Sequence, residues 1–128
     1  MTSSGNYTAN RNVYIGRCAG IAATTSCYNT VVGADAGIGM TGRLAYSNVL
    51  LGFCAGRCVN GSKNVAIGPK SLDGSGCKSS NIGIGDRAGR NYGGSFNVSM
   101  GILAGDMQMV GCKNTCLLYT SPSPRDRN

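Results

Sequence analysis

The chain has 128 residues, and 21 of them are glycine, whereas Trp is absent and only two Phe and three Pro occur. So few large side chains exclude a single thick globular core. Glycine at this level without a strict three-residue period also excludes a collagen helix. We therefore expect individual glycines to allow turns or close backbone contacts at fixed places in a repeating backbone.

Charge is sparse and positive. Twelve Lys and Arg residues stand against five acidic residues, all of them Asp, which gives a formal net charge of +7. A positive excess attracts polyanions, but the basic residues are scattered, so we expect a solvated exterior and no specific nucleic-acid partner. No apolar run reaches the roughly 18 residues of a membrane span. Residues 1–6 also lack the charged and apolar regions of a secretory signal.

Tandem repeats occupy residues 12–115, after residues 1–11, which we interpret as a leader or partial repeat. Six copies of a nine-residue motif, N-[VIT]-x-[IVLM]-G-x-x-[AS]-[GL], are followed by the start of a seventh. Successive copies begin 17, 19, 16, 17, 16 and 17 residues apart. The motif positions are numbered 1–9 from the Asn. Position 1 is occupied by Asn12, Asn29, Asn48, Asn64, Asn81, Asn97 and Asn114, and position 5 by Gly16, Gly33, Gly52, Gly68, Gly85 and Gly101.

The motif predicts one short strand per repeat. Positions 2 and 4 are aliphatic and two residues apart, so they share one face of a strand. We expect these pairs, such as Val13 with Ile15, to point inward, and the variable position 3 to point outward or toward another subunit. The position 5 glycine then ends the strand where the backbone turns, and the small position 8 residue faces inward. Spacers rich in Gly, Ser, Thr and Asn predict turns plus one looser strand.

One repeat cannot fold by itself. Burial of two aliphatic side chains contributes about 3–6 kcal/mol, whereas ordering seventeen residues costs on the order of 17–34 kcal/mol in backbone entropy. Repeats must therefore stack, which places the Asn residues in a column where their amides bond from coil to coil. Such a rod is thin, so association with further copies of the chain is the natural way to bury more surface. The sequence thus predicts an all-β solenoid of six to seven repeats.

The motif resembles two related groups of proteins at these residues. N-V-x-I-G resembles the head repeats of trimeric autotransporter adhesins, and the longer unit with I-G-x-x-A-G resembles repeats of phage and viral tail-fibre proteins. The resemblance implies a left-handed parallel β-roll, three chains around one axis, at a virion or cell surface. It also implies a structural or adhesive function, with a host-surface glycan or protein as receptor.

Residues 116–128 break the repeat. Residues 116–126 resemble, in eleven consecutive positions, the translation of a transposase-type sequencing adapter. We therefore expect a non-native, disordered tail on an environmental sequence fragment; the alternative is a Pro/Ser-rich linker.

The sequence favours no catalytic, cofactor or metal site. Without His, nucleophile systems based on Ser-His-Asp or Cys-His cannot form. Segments such as residues 15–20 also fit the hexapeptide pattern of left-handed β-helix acyltransferases, which is the alternative enzyme hypothesis. Irregular spacing and the missing general-base His count against it. A polyanion-binding repeat module is the third hypothesis, and it requires the basic side chains to line one face.

The cysteines leave more than one alternative open. Cys54 and Cys58 form a C-x-x-x-C pair that no second pair or His completes as a zinc site. Cys18 and Cys54 share a motif position but lie two repeats apart, too far for a disulfide. We expect most cysteines to be small, reduced packing residues, with disulfides as the alternative for those in the spacers.

Overall fold

The computed structural model describes residues 11–41, 45–75, 78–91, 93–106 and 111–117. This part of the chain is entirely β and turn, and contains no helix. Each repeat contributes one three-residue strand. The expectation of a looser strand in the spacers was wrong for the described residues, where the spacers contain only an isolated bridge between Cys27 and Tyr46. The strands are β1 (Val13–Ile15), β2 (Thr30–Val32), β3 (Val49–Leu51), β4 (Val65–Ile67), β5 (Ile82–Ile84), β6 (Val98–Met100) and β7 (Thr115–Leu117).

The seven strands form one parallel sheet in chain order. Every strand pairs with the next in register, so that each motif position lies above the same position of the following repeat; Val49, for example, pairs with Val65. Each repeat is therefore one coil of a β-solenoid, which confirms the predicted all-β repeat fold. At about 4.8 Å per step, the six steps make a rod about 29 Å long.

The sheet buries the opposite face from the one predicted. Val31, Leu50 and Ala66 at position 3 are fully buried, whereas Val13 and Ile15 at positions 2 and 4 are exposed. The expectation that positions 2 and 4 point inward was therefore wrong. The physical reason is the buried Asn at position 1: because side chains alternate along a strand, an inward position 1 fixes position 3 inside and positions 2 and 4 outside.

The interior is only one layer of side chains thick. Position 8 is Ala or Ser and is fully buried in the five coils from the second to the sixth, which confirms the expectation for that position. The largest buried apolar side chains among the described residues are few: two lie in the second coil, two in the third and one in the fourth. They are Met40, Leu50, Leu72, Val31 and Val59.

Side-chain volumes at positions 3 and 9 compensate for each other across this narrow interior. A Cβ on Gly20 would collide with the ring of Tyr14, and one on Gly56 would collide with Leu50. The fourth coil reverses the pattern, because position 9 is Leu72 and position 3 is Ala66. Leu72 also reaches the next coil, where a Cβ on Gly83 would lie 2.9 Å from Leu72 Cδ2. Each large residue thus faces a small one.

The seventh strand continues past the predicted end of the repeats. Cys116 and Leu117 lie in β7 and pair with β6, two residues beyond the boundary at 115. The leader apart from Arg11, and residues 118–128 of the adapter-like segment, lie outside the described residues.

The volume compensation predicts a rescue by a second substitution. Leu72→Gly should lower the free energy of unfolding by about 2–5 kcal/mol, because it opens a cavity. Adding Ala66→Leu should restore at least half of that loss, since it gives the fourth coil the same arrangement as the third. Urea unfolding of both variants and of Ala66→Leu alone measures the coupling. A double variant less stable than Leu72→Gly would contradict the compensation.

Candidate functional site

The seven Asn residues of position 1 lie in one column inside the solenoid. The backbone N–H of each Asn donates to Oδ1 of the Asn one coil earlier, over 2.8–3.0 Å for all six pairs. In four pairs the side-chain Nδ2 also donates to that same Oδ1. The five central residues are almost completely buried. This column is called the Asn ladder below.

Each Asn amide also closes its own coil. Nδ2 donates to a backbone carbonyl that always lies three residues before the next Asn, for example from Asn48 to Gly61 over 3.0 Å and from Asn64 to Lys78 over 3.0 Å. The same bond forms in repeats of 16, 17 and 19 residues. The ladder therefore fixes where every coil ends, whatever the length of its spacer.

The ladder leaves no polar group of a central Asn without a partner. Asn64 donates through Nδ2 to Asn48 and Lys78, accepts at Oδ1 from Asn81, and accepts at its backbone carbonyl from Val49. Burying an amide costs free energy unless it is hydrogen-bonded. Full pairing is what allows a column of amides inside so small an apolar interior.

A second ladder of hydroxyl and thiol groups runs beside the first. The residues two before Asn64, Asn81, Asn97 and Asn114 are Ser62, Ser79, Ser95 and Cys112. The backbone N–H of each Ser donates to the side-chain oxygen or sulfur one coil later, over 3.0, 3.1 and 3.4 Å. Sequence reasoning missed this ladder, although its signal was a Ser or Cys at a constant distance before the Asn.

The position 5 glycines form a close backbone stack. Their φ angles lie between +122° and +138°, a conformation that residues with a Cβ avoid. A Cβ on Gly16 would lie 2.6 Å from the carbonyl oxygen of Gly33, and the next coils are equally tight. These glycines let consecutive coils touch at the end of each strand.

Three of the four described Asp residues pair with an Arg of a neighbouring coil. Arg17, Arg57 and Arg90 contact Asp35, Asp73 and Asp106 over 2.7, 3.1 and 2.6 Å, each one coil away. The Asp73 carboxylate, which accepts hydrogen bonds from Arg57, raises the pKa of that guanidinium. Because these arginines are partly exposed, each pair contributes no more than about 1 kcal/mol.

The basic residues do not share one face. Lys63 and Lys113 precede ladder Asn residues, Lys70 and Arg87 occupy position 7, and Arg57 follows position 9. These are three different corners of the coil. This scatter does not provide the single basic face that a polyanion-binding module requires.

The cysteines occupy several of these positions and carry no disulfide among the described residues. Cys54 is buried at position 7, whereas Cys58 and Cys112 are exposed; Cys77 lies outside the described residues. Within the described ranges, no three Cys or Asp side chains come together as a metal site. The same ranges hold no helix that could cross a membrane.

Comparison with protein-family models, curated proteins and solved structures finds no match to this chain.

Removing one amide from the middle of the Asn ladder should be costly. Asn64→Ala deletes both Nδ2 bonds and leaves the buried Asn81 N–H and Lys78 carbonyl unpaired. We expect a loss of about 2–4 kcal/mol in the free energy of unfolding. Thr24→Ala, at an exposed spacer position outside the ladder, is the control and should cost less than about 1 kcal/mol. Equal losses in urea unfolding would show that the ladder has no special part in stability.

Proposed function

We propose that this chain is a structural and adhesive segment of an extracellular fibre, such as a viral tail fibre or a surface adhesin, and that it works as a homotrimer. The observation that supports the proposal most directly is the unbroken Asn ladder through seven coils. Because every coil adds one equal step, the number of repeats sets the length of the rod.

Such a segment has two uses in a fibre. It holds a binding tip at a fixed distance from the virion or cell, and it offers its outer side chains to a host-surface glycan or protein. Stiffness supports the first use, since in-register strands and paired amides resist shear between coils. The variable spacers support the second, because their length does not disturb the ladder.

The hexapeptide acyltransferase is the alternative that the coil geometry favours less. That enzyme class needs contiguous hexads on three sides of an eighteen-residue coil, with a His as general base. Here each described coil has one three-residue strand, and all seven strands belong to one sheet. The sequence supplies no His.

Adding repeats should lengthen the rod by a fixed step. A second copy of residues 48–80 inserted after residue 80 adds two coils, and so about 10 Å. We expect small-angle X-ray scattering to report this increase in rod length, with unchanged cross-section. The matched control is the same insertion with the Asn residues corresponding to Asn48 and Asn64 replaced by Ala, which should loop out without lengthening the rod.

Adhesion is tested with the full chain on fluorescent beads, incubated with glycan arrays and with panels of bacterial and animal cells. Saturable binding above uncoated beads is the expected result. An insertion that unfolds the rod would overturn the spacer function, and beads that bind no surface would overturn the adhesive one.

A further inference from the structure

An exposed ridge runs along one corner of the solenoid, directly before the Asn ladder. It consists of the residue that precedes each ladder Asn, and is called the pre-Asn ridge below. In chain order its members are Arg11, Tyr28, Ser47, Lys63, Ser80, Phe96 and Lys113. Six of the seven are exposed and Ser80 is half-buried. The ridge is therefore open to a ligand along its whole length.

The ridge is straight because its backbone repeats in every coil. All seven residues have φ between +57° and +65°, so their side chains leave the coil in the same direction. From Ser47 to Lys113, each ridge N–H donates to the carbonyl of the residue two before the Asn of the preceding coil, over 2.9–3.2 Å. One ridge side chain therefore follows another at a step of about 4.8 Å.

The order of side chains along the ridge is symmetrical about Lys63. From either end it runs cation, aromatic ring, hydroxyl and then the central cation. Arg11, Lys63 and Lys113 lie three coils apart, which is about 14 Å along the rod. Each interval between two cations holds one aromatic ring and one serine. The ridge therefore presents positive charges at regular intervals, with neutral contact groups between them.

The described Asp residues all lie on other corners of the coil. Asp35 and Asp86 occupy positions 7 and 6, and Asp73 and Asp106 directly follow position 9. The ion pairs in the described ranges join these carboxylates to arginines outside the ridge. The ridge cations can therefore pair with an external anion without giving up an acidic partner of their own.

The aromatic side chains of the ridge have two different roles. Arg11 Nη1 donates a hydrogen bond to Tyr28 Oη over 2.8 Å, and the guanidinium carbon lies 5.4 Å from the centroid of the Tyr28 ring. This contact holds the guanidinium in place and leaves its other N–H groups able to donate to an acid. Phe96 is 58 % exposed and offers a flat apolar surface.

We propose that the pre-Asn ridge binds an extended acidic polysaccharide, in which acid groups are separated by neutral sugars. This inference rests on the proposed adhesive function and names the class of receptor and the residues that hold it. The acid groups pair with the three cations, and the C–H face of a neutral sugar packs on Phe96. Ser47 and Ser80 exchange hydrogen bonds with sugar hydroxyls.

The spacing of the cations favours a polysaccharide over a nucleic acid. A nucleic-acid strand carries a phosphate about every 3.4 Å, so three cations spread over about 29 Å would leave most phosphates without a partner. The ridge is therefore not the basic face that a dense polyanion needs. A polysaccharide with an acid group only every few sugars has the lower charge density that the ridge matches.

Removing the central cation should weaken binding to an acidic polysaccharide. The full chain is immobilised for biolayer interferometry, and fragments of gellan and of hyaluronan are the probes, because neutral sugars separate the carboxylates in both. We expect saturable binding, and Lys63→Ala should raise the dissociation constant roughly 10-fold, since it removes a charge-assisted hydrogen bond. The matched control is Lys70→Ala, which removes the same charge at position 7 from a residue with a similar positive φ. It should change the constant less than about 2-fold.

The aromatic contact is tested with a second pair of variants. Phe96→Ala should raise the dissociation constant roughly 3- to 10-fold, because the sugar loses its apolar surface. Its control is Phe53→Ala, since Phe53 is 49 % exposed but lies at position 6, outside the ridge. Lys63→Ala should also reduce the salt dependence of binding, because fewer ion pairs remain to be screened, whereas Phe96→Ala should not.

Circular dichroism and urea unfolding of every variant separate a lost contact from a lost fold. Failure of the chain to bind either acidic probe, or equal binding to neutral dextran, would overturn the proposal. So would a folded Lys63→Ala or Phe96→Ala variant that binds no more weakly than its control. Tighter binding to single-stranded oligothymidylate than to both polysaccharides would assign the ridge to nucleic acid instead.

These outcomes are distinguishable from failure of the proposed fibre function. A chain whose rod lengthens with added repeats, or whose beads bind cells, but which binds no acidic probe would reject the ridge and keep the fibre function. A chain that binds gellan or hyaluronan through the ridge but whose rod does not lengthen would reject the spacer and keep the ridge.

Discussion

The buried amide of the Asn ladder is the interaction on which the rest of the structure depends. Its Oδ1 accepts a hydrogen bond from the backbone N–H of the Asn one coil later, and its Nδ2 closes its own coil. A buried amide group left without either bond would lower the free energy of unfolding by about 1–3 kcal/mol. The ladder therefore sets the stacking register, and the stacking register aligns the sheet and the glycine stack.

The same constraint explains the unusual distribution of apolar residues. With position 1 committed to the interior, alternation leaves only position 3 on the inner side of each strand, and that position tolerates anything from Gly83 to Tyr14. The regular aliphatic residues at positions 2 and 4 lie outside instead.

Much of the fold could be predicted from the sequence because its signal is a period. The repeated motif predicted a strand at positions 2–4, stacked coils and a small buried residue at position 8, but the looser strand expected in the spacers does not form among the described residues. Which face of the strand is buried could not be predicted from the aliphatic pattern, because Val and Ile pairs look the same on an inner and an outer face. It followed from the polarity of Asn48 and its equivalents, whose amides need partners that only the adjoining coil offers. In the fourth coil, position 3 is the small residue Ala66 and position 9 is the large residue Leu72. This reversal depends on which residues face each other across the interior, and spacing alone does not give that.

The backbone carbonyl that accepts a hydrogen bond from each Asn Nδ2 always lies three residues before the next Asn. It divides every repeat into a part of constant length and a part of variable length. From that carbonyl through the Asn to position 9, the number of residues is constant. The residues between position 9 and the next such carbonyl account for all the variation in repeat length, from 16 to 19 residues. Extra residues can therefore be accepted at one place per turn without altering the pitch of the rod. A lineage bearing such repeats can diversify one loop per turn while leaving its supporting axis untouched.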